Sequence, residues 1–167
     1  SPSQPTVTTN SPICEDEKLI LSTPLIVGAT YEWAGPNAAT YTTNEITIPN
    51  ANTSHGGTYT LTISLNSCST NSTPVLVTVN PKPIKPSITV NGNVLTSSNA
   101  ASYQWMLDNT FISNATNNSF TANQTGNYQV RINNSFGCFA TSDSAYLVIS
   151  ALNDVLSTLT GVNVYPN

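Results

Sequence analysis

Polar and apolar residues alternate one for one from Thr58 to Leu65. Tyr59, Leu61, Ile63 and Leu65 fall on one side of the chain, Thr58, Thr60, Thr62 and Ser64 on the other. A period of two sustained over such a run predicts a β-strand with one buried and one wet face. Shorter versions surround it. Leu19 and Leu21 alternate with Lys18 and Ser22, Tyr31 and Trp33 flank Glu32, Glu45–Ile48 is stopped by Pro49, and Val75, Val77 and Val79 form a closing strand. Gly35-Pro36-Asn37 marks a turn between two of them. The series then restarts. Ile88 and Val90 run into Asn91-Gly92, a strong hairpin signal, and Val94-Leu95-Thr96 returns. Tyr103 and Trp105 flank Gln104. Tyr128, Val130 and Ile132 point inward while Gln129, Arg131 and Asn133 point outward, and Ala145 to Ile149 closes the series. Six or seven short strands at this spacing in each half predict an all-β chain built as a sandwich or small barrel.

The two halves are the same pattern written twice. Tyr31-Glu32-Trp33 returns as Tyr103-Gln104-Trp105 at an offset of 72, Gly57-Thr58-Tyr59 as Gly126-Asn127-Tyr128 at 69, and Cys68 as Cys138 at 70. Gln4-Pro5-Thr6-Val7-Thr8 returns as Lys85-Pro86-Ser87-Ile88-Thr89 at 81. Between the halves lies Pro81-Lys82-Pro83-Ile84-Lys85-Pro86. Its prolines lack backbone donors and have fixed φ, so the stretch reads as a semi-rigid, extended spacer. The expected organisation is one domain at residues 1–80, a Pro-rich linker at 81–86, a second domain at 87–150 and a further linker at 151–167. An extended strut predicts an elongated pair in scattering. In the tail, Leu152, Val155, Leu156 and Leu159 have helical spacing over one or two turns.

The offset falls from 81 to 72 between first strand and Trp strand, so the second half lacks nine residues there. The loss is placed in the first-to-second strand connection, where the first half carries Ser11 to Glu17 and the second only its Asn91-Gly92 turn. Cys14 then has no counterpart. The expected disulfide is Cys14–Cys68, with Cys138 unpaired; a loop of that length stabilises by roughly 4 kcal/mol in the chain-entropy account.

A strand-borne Trp followed by Gly-x-Tyr at the head of a late strand resembles the immunoglobulin superfamily. There the Trp fills the core and the Tyr makes a corner hydrogen bond. The resemblance implies two tandem immunoglobulin-like β-sandwiches joined by the Pro-rich linker. One departure stands out: two residues after each Tyr, where the superfamily's inter-sheet Cys falls, this chain has Leu61 and Val130.

Composition removes several function classes. Lys and Arg number four, the net charge is −4 and the pI is near 4.5, which argues against nucleic acid. No apolar run reaches the length of a membrane span. One His and three Cys without CxxC spacing argue against zinc, and nothing in the sequence calls for a cofactor. Ser, Thr and Asn number 67 of 167 residues while charged residues are only 7%. The polar faces are therefore built from hydroxyls and amides. The chain lacks a signal peptide and starts abruptly at Ser1-Pro2-Ser3, so it reads as a fragment of something longer.

The ending Val164-Tyr165-Pro166-Asn167 resembles the opening of the C-terminal sorting domain on cargo of the type IX secretion system. Pro12-Ile13-Cys14-Glu15, Tyr31-Glu32-Trp33-Ala34-Gly35-Pro36, Gly57-Thr58-Tyr59 and the Cys68 region are similar to tandem immunoglobulin-like repeats of large surface proteins of Bacteroidota, which are often separated by Pro-Lys-Pro linkers like Pro81-Lys82-Pro83. The resemblance implies export by that machinery, engaged through an adjoining sorting domain, and an extracellular or outer-membrane-surface location. It implies a non-catalytic stalk or adhesion segment, with surface glycans or other cells as partners. The alternative is carbohydrate-binding or accessory modules of a secreted hydrolase. Asp143-Ser144-Ala145 matches the O-glycosylation pattern of these bacteria and makes Ser144 a candidate.

The residues themselves offer little chemistry. His55, the sole His, sits in the turn Thr53 to Gly57 and reads as solvated. Glu15-Asp16-Glu17 could bind a cation but reads as a solvated loop. Trp33 and Trp105 read as core. Tyr41, Phe111, Phe136 and Phe139 do not fall on inward faces. Tyr41, Phe136 and Phe139 are the candidate glycan contacts, since an exposed ring offers a stacking platform.

Overall fold

The structure, a computed structural model, describes residues 3–149. The helical spacing at Leu152–Leu159 and the Val164-Tyr165-Pro166-Asn167 ending lie outside these residues. The chain divides into two compact units between Lys82 and Pro83.

In the first unit the alternating segments become strands. They are β1 (Thr8–Thr9), β2 (Ile13–Cys14), β3 (Leu19–Ser22), β4 (Thr30–Ala34), β5 (Thr40–Tyr41), β6 (Glu45–Ile48), β7 (Gly57–Leu65), β8 (Cys68–Asn71), β9 (Val75–Val77) and β10 (Val79–Asn80). One sheet has the order β1-β3-β6. The other has β5-β4-β7-β8, with β9 also on β7. Leu19, Leu21, Trp33, Tyr59, Leu61 and Ile63 are sealed in the shared core. β2 pairs in parallel with β10, Ile13 opposite Val79 and Cys14 opposite Asn80.

The second unit repeats the scheme. Its strands are β11 (Ile88–Asn91), β12 (Val94–Ser97), β13 (Ser102–Leu107), β14 (Thr110–Phe111), β15 (Ser119–Thr121), β16 (Gly126–Asn133), β17 (Phe139–Thr141) and β18 (Ala145–Leu147). The sheets are β11-β12-β15 and β14-β13-β16-β17, with β18 also on β16. In both units the first, second and fifth main strands face a sheet in which the Trp strand pairs with the Gly-x-Tyr strand. That is the Greek-key order of the immunoglobulin fold. The chain is two tandem immunoglobulin-like sandwiches.

The repetition extends to single hydrogen bonds. Tyr59 donates to the His55 carbonyl at 3.0 Å and Tyr128 to the Gln124 carbonyl at 2.7 Å, each closing a corner four residues back. The indoles of Trp33 and Trp105 donate to the carbonyls of Thr43 and Asn117 at 2.7 and 2.9 Å. The last strand is broken at the same point in both. Ser72 N–H donates to Leu61 O while its Oγ accepts from Leu61 N–H at 3.0 Å; Ser142 does the same with Val130. A buried hydroxyl replaces one rung of the ladder, and the chain then crosses to continue as β9 or β18.

The longer connection of the first unit lies where the offsets place it, between β1 and β3, and it folds as β2. The second unit bridges the same strands with a hairpin. Asn91 pairs with Val94, so the loop is Gly92-Asn93, one residue beyond the expected turn. Gly92, with φ of 61°, takes the left-handed first position that favours Gly in a two-residue loop.

The expected disulfide is wrong. Cys14 and Cys138 are the disulfide-bonded cysteines, and Cys68 is a free, exposed thiol. The reason is strand direction. Cys68 opens β8 opposite Leu65, at the far end of β7, while Cys14 lies beside Asn80, past the Gly57 end. The length of β7 separates those ends by roughly 26 Å at about 3.3 Å per residue. A disulfide spans less than about 7 Å between Cα atoms. The offset alignment established that Cys68 has a counterpart and Cys14 does not, but said nothing about which end of the sandwich each occupies.

Candidate binding face

Trp105 and Val130 point into the second core, so their strand neighbours point out. Gln104 and Met106 on β13, and Gln129, Arg131 and Asn133 on β16, therefore share the outer face of this sheet. The register fixes the rest. Arg131 lies opposite Gln104 on one side and Thr141 on the other; Phe111 lies opposite Met106, and Phe139 opposite Asn133. The two phenylalanines thus come from the edge strands β14 and β17 and approach the central Arg131 diagonally.

The guanidinium carbon of Arg131 sits 3.5 Å from the centre of the Phe139 ring and 5.8 Å from that of Phe111. Both lie within cation–π range. The rings remain open to solvent, Phe139 at 42% and Phe111 at 53%. Among the described residues the Arg131 side chain makes no ion pair and donates no hydrogen bond. The other charges of the described second unit are engaged: Lys85 pairs with Asp143, and Asp108 accepts from the Asn127 backbone at 2.9 Å. Gln104 donates through Nε2 to the carbonyls of Trp105 and Ile112, and Gln129 to that of Ser142. Their amide oxygens have no donor among the described residues.

The corresponding face of the first unit has no aromatic and no cation. Thr62 donates to the Asn71 amide oxygen at 3.0 Å and the Ser64 and Ser69 hydroxyls pair at 2.8 Å, so these polar groups are engaged within the face.

The residues named from sequence are dispersed. Tyr41, on β5 opposite Trp33, packs half-buried against the first core and is no open platform. Phe136 is 60% exposed in the loop before β17. Ser144 is exposed, its Oγ 3.3 Å from the Asn127 amide oxygen, beside an Asp143 already held by Lys85. His55 closes a capping box, its Nδ1 accepting from Asn52 N–H at 2.9 Å. The acidic loop is engaged internally: Glu17 accepts from Cys14 N–H, Glu15 from Lys82 N–H, and Asp16 pairs with the Lys82 ammonium at 3.0 Å. Among the described residues no cluster of His, Cys, Asp and Glu could hold a metal, and no helix is long and apolar enough to cross a membrane. Sequence alternation placed Arg131 outward. What it missed was Phe111 and Phe139 flanking it, which depends on the register of two hairpins.

No protein-family model matches the chain, and no curated protein does. Among solved structures, it is similar to a chain from the complex of the mouse coronavirus receptor-binding domain with its murine receptor, at 16% identity over 88% of this chain and 100% of that one, TM-score 0.46. Murine CEACAM1b matches at 19% identity over 88% and 100%, TM-score 0.43. Three N-terminal domains of the outer capsid protein Hoc of bacteriophage RB49 match at 18% over 86% and 57%, TM-score 0.43. Strand order and the doubled core, not these likenesses, carry the fold.

Proposed function

We propose that the chain is a non-catalytic spacer and adhesion segment of an exported protein. The observation that carries this reading is duplication. Two sandwiches with the same internal hydrogen bonds each close their own core, and the larger sheets turn rows of hydroxyls and amides outward. Such modules extend a protein and stay soluble without charge. A disulfide among the cysteines fits an oxidising destination. The tail's likeness to a sorting-domain opening supports export by the type IX machinery to the cell surface or medium, and the same reading makes Ser144 an O-glycosylation site.

The test is export. A reporter fused ahead of the chain, in its natural C-terminal context, is expected outside a type IX-competent cell and inside one lacking the machinery. Equal export from both cells overturns the route. Intact-mass analysis of the exported protein is expected to show a glycan lost in Ser144→Ala; an unchanged mass removes that site. For the spacer role, replacing both sandwiches by a flexible linker of equal residue number is expected to impair display of the preceding segment. Unchanged display overturns it. The second reading, carbohydrate-binding modules of a secreted hydrolase, is favoured by the aromatic face around Arg131.

A further inference from the structure

We infer that the outer face of the β14-β13-β16-β17 sheet binds a carboxylate-bearing saccharide, with Arg131 as the anion-recognising residue. The inference deepens the adhesive half of the reading above.

Charge complementarity is the first argument. In the second unit Lys85 and Asp143 pair with each other and Asp108 accepts from Asn127, which leaves Arg131 as the cation without an ion pair among that unit's described residues. Its five N–H donors meet no acceptor among the described residues. Contact with the Phe139 ring restrains the guanidinium, and a planar fork of N–H donors matches a carboxylate in bidentate fashion. Immobilisation by the rings also lowers the entropy lost when a partner binds.

The surroundings favour a sugar over an acidic peptide. A pyranose presents apolar C–H faces and equatorial hydroxyls together. Phe111 and Phe139 supply two exposed apolar planes on either side of the cation. The free amide oxygens of Gln104 and Gln129 accept from hydroxyls, and Thr141 and Asn133 lie on the same face. An acidic peptide would need a second cation beside Arg131, and the described residues of this face supply none. The carboxylate has two chemical sources, a uronic acid or a sialic-type acid.

Titration calorimetry on the full chain tests this with four probes: trigalacturonate, its methyl ester, a sialyl-terminated trisaccharide and hexaglutamate. Binding of either acidic sugar is expected, weakening as salt rises, and which one binds identifies the source. Arg131→Gln is expected to abolish binding, and Arg131→Lys to weaken it roughly tenfold because the planar fork is lost. Phe139→Ala is expected to weaken it while leaving the far-UV spectrum unchanged. Equal binding of the methyl ester removes the carboxylate, and equal binding of hexaglutamate removes the sugar. Failure of both acidic sugars, or undiminished binding by Arg131→Gln, overturns the proposal. None of these outcomes touches the export and display measurements, so the spacer reading stands or falls separately.

Discussion

Tyr59 is the residue whose burial has a measurable pH consequence. Desolvation, with the nearby Tyr41 second, pushes its phenol up to about 12. In the unfolded chain it ionises near 10. Between those values the folded state holds a proton that the unfolded state has lost. Its contribution is therefore fully present below about pH 10 and disappears as pH climbs to about 12. Tyr59→Phe is expected to cost about 1 to 3 kcal/mol at neutral pH, because the His55 carbonyl loses its donor. It should also flatten the loss of stability between pH 10 and 12. Urea titrations at pH 7 and pH 11 check both; an unchanged alkaline loss would assign it elsewhere. Ser142 acts by the same logic. Ser142→Ala strands the buried Val130 N–H and is expected to cost about 1 to 3 kcal/mol, read as a lower urea midpoint at constant slope.

At the scale of elements, what was legible follows from how local each signal is. The long alternation at Tyr59–Leu65 and the shorter ones at Leu19–Leu21 and Tyr31–Trp33 specify strands and inward faces, because the pleat has a period of two whatever the fold. The edge strands β5 and β14, with two residues each, carry no period at all. Yet β14 supplies Phe111 to the binding face. Its signal was Asp108-Asn109, with φ of 47° and 64°, and β8 had the same signal in Asn66-Ser67, at 50° and 62°. Asn and Asp tolerate the left-handed region, and such pairs make tight hairpins without Gly. The Gly of the second Gly-x-Tyr is a steric requirement. A Cβ on Gly126 would lie 2.4 Å from Leu107 Cδ1 and 2.9 Å from Asp108 Oδ2. Gly126→Ala is expected to destabilise by about 1 to 3 kcal/mol through forced displacement of that hairpin, and thermal melts measure it.

For the whole molecule, the two-fold repeat was readable because the offsets of Trp, Tyr and Cys agree within a few residues. The cysteine pairing was not, because it depends on which end of a sandwich each Cys occupies. Non-reducing peptide mapping after alkylation is expected to find the label on Cys68 and none on Cys14 or Cys138. A labelled Cys14 with Cys68 in linkage would reverse that. The binding face was partly readable too. Arg131 and Phe139 are visible as outward residues, but their stacking is a property of register between β16 and β17.

Leu61 and Val130 occupy the positions where an immunoglobulin core would be cross-linked, and both are sealed from solvent. The order in which this protein matures is therefore not dictated by oxidation. Both sandwiches can acquire their strand order with their thiols reduced, any cross-link being added afterwards to a finished fold. Excess reductant is accordingly expected to leave the β-sheet signature in the far ultraviolet intact, and its collapse would show that sulfur, not aliphatic packing, holds the sheets together.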